Sequence, residues 1–153
     1  MDGGEISDSR DKITKKRWGN GDIEFTSVTV EPKVPTEKDE TLVIKASFKV
    51  HISDKESLFG MKVKNGVGTE MVGTNNKLLH LSSPSLKQGD SGEVVWRVPN
   101  ILNNGDYSVD VAVIDPDDLS EMDWWEDAHS FSIIRDEHSP FVVEPHIIME
   151  FKS

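Results

Sequence analysis

Between Asp115 and His129 stand seven carboxylates and a tryptophan pair, with no lysine or arginine among them. The acids are Asp115, Asp117, Asp118, Glu121, Asp123, Glu126 and Asp127, and the aromatics are Trp124 and Trp125. Such a set suits several chemistries. Two carboxyl groups about 5 to 9 Å apart across a cleft cleave glycosidic bonds, and Asp118 with Asp123, or Asp110 with Asp115, could supply them. In a chain with 28 acidic residues, however, such pairs arise by chance, and solvated loop acids are the simpler reading. "DPDD" gathers Asp115, Asp117 and Asp118 as oxygen ligands of the kind calcium takes. It lacks the spacing of an EF-hand loop, and Asp-Pro turns are common without metal. Tryptophan beside carboxylates also fits sugars. The ring lies against the C–H face of a pyranose while Asp, Asn or His bind its hydroxyls. If Trp124 and Trp125 lie on a strand, one of them points away from the core. The competing reading places both in core or interface, as Trp96 is expected to be.

Other catalytic signatures are missing. There is no phosphate-binding loop, and "GNG" at 19–21 is too short and precedes a strand. No Gly-x-Ser-x-Gly elbow occurs. The five histidines, His51, His80, His129, His138 and His146, show no His-x-x-x-His spacing, and each reads as a surface residue. Cysteine is absent, which removes disulfides and thiolate metal sites.

The elements that must position these residues are strands. "DIEFTSVTVEP" (22–32) shifts its apolar phase between Phe25 and Val28, as a bulge would. "ETLVIKASFKVHI" (40–52) alternates Leu42, Ile44, Ala46, Phe48, Val50 and Ile52 against Lys45, Ser47, Lys49 and His51. "LFGMKVK" (58–64) and "TEMVGTN" (69–75) flank an Asn65-Gly66 turn, which predicts a hairpin. "EVVWRVP" (93–99), "YSVDVAVID" (107–115), "HSFSII" (129–134) and "FVVEPHIIMEF" (141–151) complete the set. Asp117 to Asp127 reads as one short turn, and Pro145 suggests an edge or bulge in the last strand. About eight strands at this spacing, with no helical pattern, predict an all-β fold, an antiparallel β-sandwich.

The 153 residues suit one domain, carried by 17–153, while the charged and polar residues 1–16 read as a linker or chain end. A net charge of -11 disfavours nucleic acid and anionic membrane surfaces. No apolar run approaches the roughly 20 residues of a membrane span, and the N-terminus has no signal-peptide core. A cytoplasmic address is the expectation.

The motifs in order resemble one family. "RWGNGDIEFTSV" presents Trp18, Gly19, Gly21, Asp22 and Ile23 in an aromatic-Gly-x-Gly-acid pattern. "FGMKVKNGVGTEMVGTNN" presents Gly60, Asn65, Gly68, Gly73, Thr74 and Asn75, and "GDYSVDVAVID" presents Gly105 and Tyr107. "MDWWEDAHSFSI" presents Asp123, Ala128, Phe131 and Ile133. Together, from about residue 17 onward, they resemble the C-terminal carbohydrate-binding domain of Wzt, the ATP-binding subunit of O-antigen polysaccharide ABC transporters. The resemblance implies an immunoglobulin-like or jelly-roll sandwich that forms a homodimer, with a last strand that can be exchanged between protomers, "RDEHSP" serving as hinge. It implies a non-catalytic module without cofactor that binds the capped, non-reducing end of O-antigen polysaccharide. Its further partners would be an ATPase domain of the same polypeptide and the membrane subunit of the transporter, at the inner face of the inner membrane. Binding residues in this family vary with the glycan, so the site is chosen on chemistry. Trp124 or Trp125 with His129 would be the platform, Asp110 would accept from hydroxyls, and His51 and Lys49 would donate, along a solvent-facing strip of one sheet. The rivals are a calcium-dependent carbohydrate module of another family and a pure assembly domain.

Overall fold

The computed structural model of the chain describes residues 16–152, apart from 36, 38, 39 and 53. The expected linker lies outside these residues except for Lys16. The described residues form eight strands and no helix. These are β1 (Arg17–Trp18), β2 (Ile23–Glu31), β3 (Thr41–Val50), β4 (Leu58–Asn65), β5 (Glu70–Asn75), β6 (Ser91–Pro99), β7 (Gly105–Ile114) and β8 (Glu121–Ile133). They make two antiparallel sheets, one of five strands in the order β1-β8-β7-β4-β5 and one of three in the order β2-β3-β6. The core between them is what alternation dictates. Phe25, Ile44 and Phe48 from the smaller sheet meet Phe59, Val63, Val109, Val111 and Val113 from the larger. Phe59 packs edge-on to Phe25 at 6.1 Å and tilted on Phe48 at 4.9 Å.

Local devices fix the register. The phase shift in β2 is a bulge between Phe25 and Ser27. There the Asp123 carboxylate, arriving from the opposite sheet, accepts from Phe25 N at 2.8 Å and from the Arg17 guanidinium at 2.7 and 3.0 Å. Arg17 also donates to Phe25 O at 2.5 Å. Asp123 therefore closes one end of the sandwich with its charge paired and its oxygens satisfied. At the other end the Tyr107 hydroxyl donates to Asn103 O at 2.7 Å and its ring stacks on Phe131 at 5.6 Å, a tyrosine corner. Burial pushes the Tyr107 pKa up. Gly19 is required by close approach. A Cβ there would lie 2.3 Å from Met122 O, and φ is +144°.

Two expectations need correction. The tract expected as a turn, 117–127, enters a strand at Glu121, so β8 is thirteen residues long and carries both tryptophans. Strand formation there follows from pairing on both sides, with β7 and with β1. Conversely, 141–151 forms no strand within this chain beyond a single bridge between Leu102 and Val143. Within the chain, the "RDEHSP" segment before it is tied to the body. Asn104 binds Arg135 O and Asn103 binds Ser139 O, at 2.9 and 2.7 Å. The buried Arg135–Glu144 ion pair at 3.1 Å and the 2.5 Å bond from Glu144 N to Ile101 O hold the segment to its end. Beyond Glu144 the chain leaves the body. Ile147, Ile148, Met149 and Phe151 are three-quarters or more exposed.

Candidate functional site

The outer face of the five-stranded sheet is built from residues that alternate with the core. On β4 these are Leu58, Gly60, Lys62 and Lys64, and on β7 they are Ser108, Asp110, Ala112 and Ile114. Register places Asn75, Gly60, Ala112, Trp124 and Trp18 in one row across all five strands. Between Trp124 and Asn75 nothing larger than the Ala112 methyl stands in that row. The result is a slot of about 190 Å³ floored by Gly60 and Ala112. Leu58 and Ile114 line it at one end, Lys62 and Asp110 at the other.

Trp124 forms its aromatic wall. Trp18 stacks on it, with centroids 6.0 Å apart and planes 10° apart. The Trp18 Nε1 donates to Glu121 at 3.1 Å, which fixes the outer ring. Lys62 Nζ lies 5.6 Å from the Trp124 centroid. Trp124 Nε1 is buried and has no hydrogen-bond partner, an uncommon state for an indole.

Charges below the slot pair with one another. Asp110 accepts from Asp127 N at 2.8 Å and pairs with Lys64 at 3.1 Å. Lys64 also pairs with Asp127 at 3.1 Å, and Lys16 bonds the same carboxylate. Asp127 sits at φ 52°, the left-handed conformation that turns its side chain towards these lysines. The Lys16 hydrogen bond, aided by Lys64 and Ser108, holds its pKa down at about 2, against the opposing cost of burial. The Lys64 pKa is raised because bonds to Asp110 and Asp127 together outweigh its desolvation, although that desolvation is the largest single effect.

The six residues chosen from sequence separate into three places. Trp124 and Asp110 line the slot. Trp125 and His129 share register with the core-facing Val111 and Val109, and Trp125 packs on the core beneath Arg17, whose guanidinium carbon is 4.1 Å from its ring. Lys49 belongs to the outer face of the other sheet, and His51, just past β3, lies 3.4 Å from Glu24. The two sheets turn their outer faces in opposite directions, so one strip cannot include all six. Trp18, Gly60, Lys62 and Ala112 were not singled out from sequence as a site. The available signal was a glycine and an alanine at outward positions of neighbouring strands, where bulk carries no packing cost.

Asp115 and Asp118 brace the turn before β8. Asp115 accepts from Asp117 N at 2.8 Å and pairs with Lys55 at 3.1 Å, while Asp118 accepts from Ser120 N at 2.8 Å. The Asp117 amide is the main reason the Asp115 pKa is lowered. Among the described residues no three His, Asp or Glu converge as a metal site would need.

Residues 14–143 match the family model for the Wzt C-terminal domain. The chain belongs to that family. The crystal structure of the C-terminal domain of Wzt aligns at a TM-score of 0.78 and 19% identity, covering 90% of this chain and 87% of that one. A Bacteroides uniformis β-glucuronidase aligns at 0.53 and 16% identity, over 72% of this chain and 14% of its own. That second likeness is one of fold. No curated protein matches by sequence. Within this Wzt C-terminal domain, motif residues divide between scaffold and site. Gly19, Tyr107, Asp123 and Phe131 hold the sandwich together, whereas Gly60, Thr74 and Asn75 line the slot. No described helix is long and apolar enough to cross a membrane.

Proposed function

We propose that this domain is a non-catalytic module that binds the capped, non-reducing end of an O-antigen polysaccharide for export by an ABC transporter. The observation that carries this reading is the slot beside Trp124. A flat aromatic wall, a floor without bulk and flanking amide, hydroxyl and carboxylate groups suit one pyranose ring. An apolar cavity of about 150 Å³ holds a benzene-sized ring, and the observed volume of about 190 Å³ is of the order of one sugar ring. A slot of that size fits a chain end. Trp124 and Asp110 are kept from the residues chosen on sequence, and Trp18, Lys62 and Asn75 join them.

The family supports the rest of the assignment. The domain works beside an ATPase domain of the same polypeptide and a membrane subunit, on the cytoplasmic side of the inner membrane. The apolar tail beyond Glu144 supports homodimerisation, with 146–152 exchanged between protomers.

Titration of the domain with the polysaccharide of its own source strain, intact and stripped of its terminal modification, tests this function. Saturable binding of the capped form alone is expected. Trp124→Ala should weaken it by about ten-fold or more, through loss of the stacking surface. Absence of binding to either form would leave assembly as the role of the domain.

A further inference from the structure

The wall of the slot is held from outside it. In the row that crosses the sheet, Trp124 stands between Ala112 and Trp18. On the slot side the Ala112 methyl gives the ring nothing to lean on. Lys62 Nζ reaches it only at 5.6 Å and is tied to Glu70. The Trp124 Nε1–H is buried without an acceptor. Turning the ring about its two side-chain torsions would bring that donor to water, so an unmade hydrogen bond works against the observed rotamer. What opposes the turn is Trp18, stacked at 6.0 Å with planes 10° apart and pinned by its own Nε1 bond to Glu121. Trp18 itself does not line the slot.

Trp18 belongs to a strand of two residues that is stitched to β8 by both its side chains. Arg17 pairs with Asp123 and covers the Trp125 ring, and Lys16, just before it, bonds Asp127. The Glu126 amide donates to Lys16 O at 2.7 Å. The path by which the chain enters the body and the wall of the slot are therefore one packed unit.

We infer that Trp18 is a positioning residue that holds Trp124 upright, and that docking of β1 on β8 is thereby linked to occupancy of the slot. A ligand that needs Trp124 in place favours the docked strand, and by reciprocity the docked strand favours the ligand by the same factor. The state of the slot is then conveyed to the chain that precedes Lys16. The linkage rests on the carbohydrate reading above, whereas the bracing of Trp124 stands without it.

The indole and backbone N–H signals of the ¹⁵N-labelled full chain test both halves, with Trp124 assigned by the loss of its signal in Trp124→Phe. Without ligand, Trp18→Ala should free the ring, so that the Trp124 indole proton exchanges with solvent about ten-fold faster or more and its heteronuclear NOE falls. Trp18→Phe, which keeps a stacking face, should restore most of both. Glu121→Ala, which unpins Trp18 and leaves both rings in place, should move them the same way by less, and it keeps the comparison open if Trp18→Ala melts early. With the native polysaccharide added, exchange of the Glu126 amide, which reports β1 docking, should slow in the parent. It should not slow in Trp18→Ala, whose affinity should be several-fold weaker.

A Trp124 indole equally protected in the parent, Trp18→Ala and Glu121→Ala would overturn the bracing. Polysaccharide that binds the parent and Trp18→Ala alike, or that leaves Glu126 exchange unchanged, would overturn the linkage. If the polysaccharide binds no form of the chain, the carbohydrate reading falls and the linkage with it, while the ligand-free comparison still decides the brace.

Discussion

At the scale of single residues, Asp127 does the most unusual work. Its left-handed backbone lets one carboxylate engage Lys16 and Lys64 while its amide satisfies Asp110. A carboxyl held at about 2 in the folded state titrates near 3.9 when unfolded. Its stabilisation is thus complete above about pH 4 and is lost as pH falls through about 2. Asp127→Asn should remove that contribution. The variant should melt lower at pH 7, by an amount worth about 1 kcal/mol for a partly exposed pair, and its melting temperature should change less than the parent's between pH 4 and pH 2. Parallel curves for the two proteins would refute the assignment. Lys64 has the opposite sign. Its raised pKa gives stability that is present below its ordinary pKa and lost only in strong alkali.

At the scale of elements, alternation was legible and pairing was not. The inward faces of β2, β3, β4 and β7, the bulge after Phe25 and the Asn65-Gly66 hairpin follow from period two and turn chemistry. The start of β8 was hidden because Asp123, Glu126 and Asp127 make it read as a loop. Two of these acids are neutralised by bases distant in sequence, Asp123 by Arg17 and Asp127 by Lys16 and Lys64, and no single-strand pattern shows a cross-strand partner. For the same reason the slot was half visible. Trp124 and Asp110 announced themselves by type, whereas Gly60 and Ala112 matter only because register sets them side by side. The approach of β8 to the loop between β1 and β2 gives a sharper test. Gly19 faces Met122 O so closely that Gly19→Ala must displace one backbone from the other. We expect a loss of more than about 2 kcal/mol, read as a lower urea midpoint with an unchanged slope, whereas Gly21→Ala, with open space around its Cα, should lose only the cost of its positive φ.

At the scale of the whole molecule, two sheets of unequal size leave a body tied off at Glu144 and an apolar run beyond it. Truncation after Glu144 should leave a folded monomer, because the Arg135–Glu144 pair and the Leu102–Val143 bridge stay within it. Sedimentation velocity of the full chain and of this truncation should then give a dimer and a monomer. Two dimers would place the interface elsewhere, on the body itself.

The clasp at Glu144 also sets how robustness depends on abundance. The described residues before it pack within one polypeptide, whereas the four large apolar residues after it lie exposed and, in the dimer proposed above, would be covered by a second copy. Mass action then enters the melting curve, and dilution should lower the transition temperature of the full chain while leaving the truncated one unchanged. A cell holding few copies would keep a sticky end exposed, open to proteolysis and stray association. The abundance of the protein would thus be coupled to its survival.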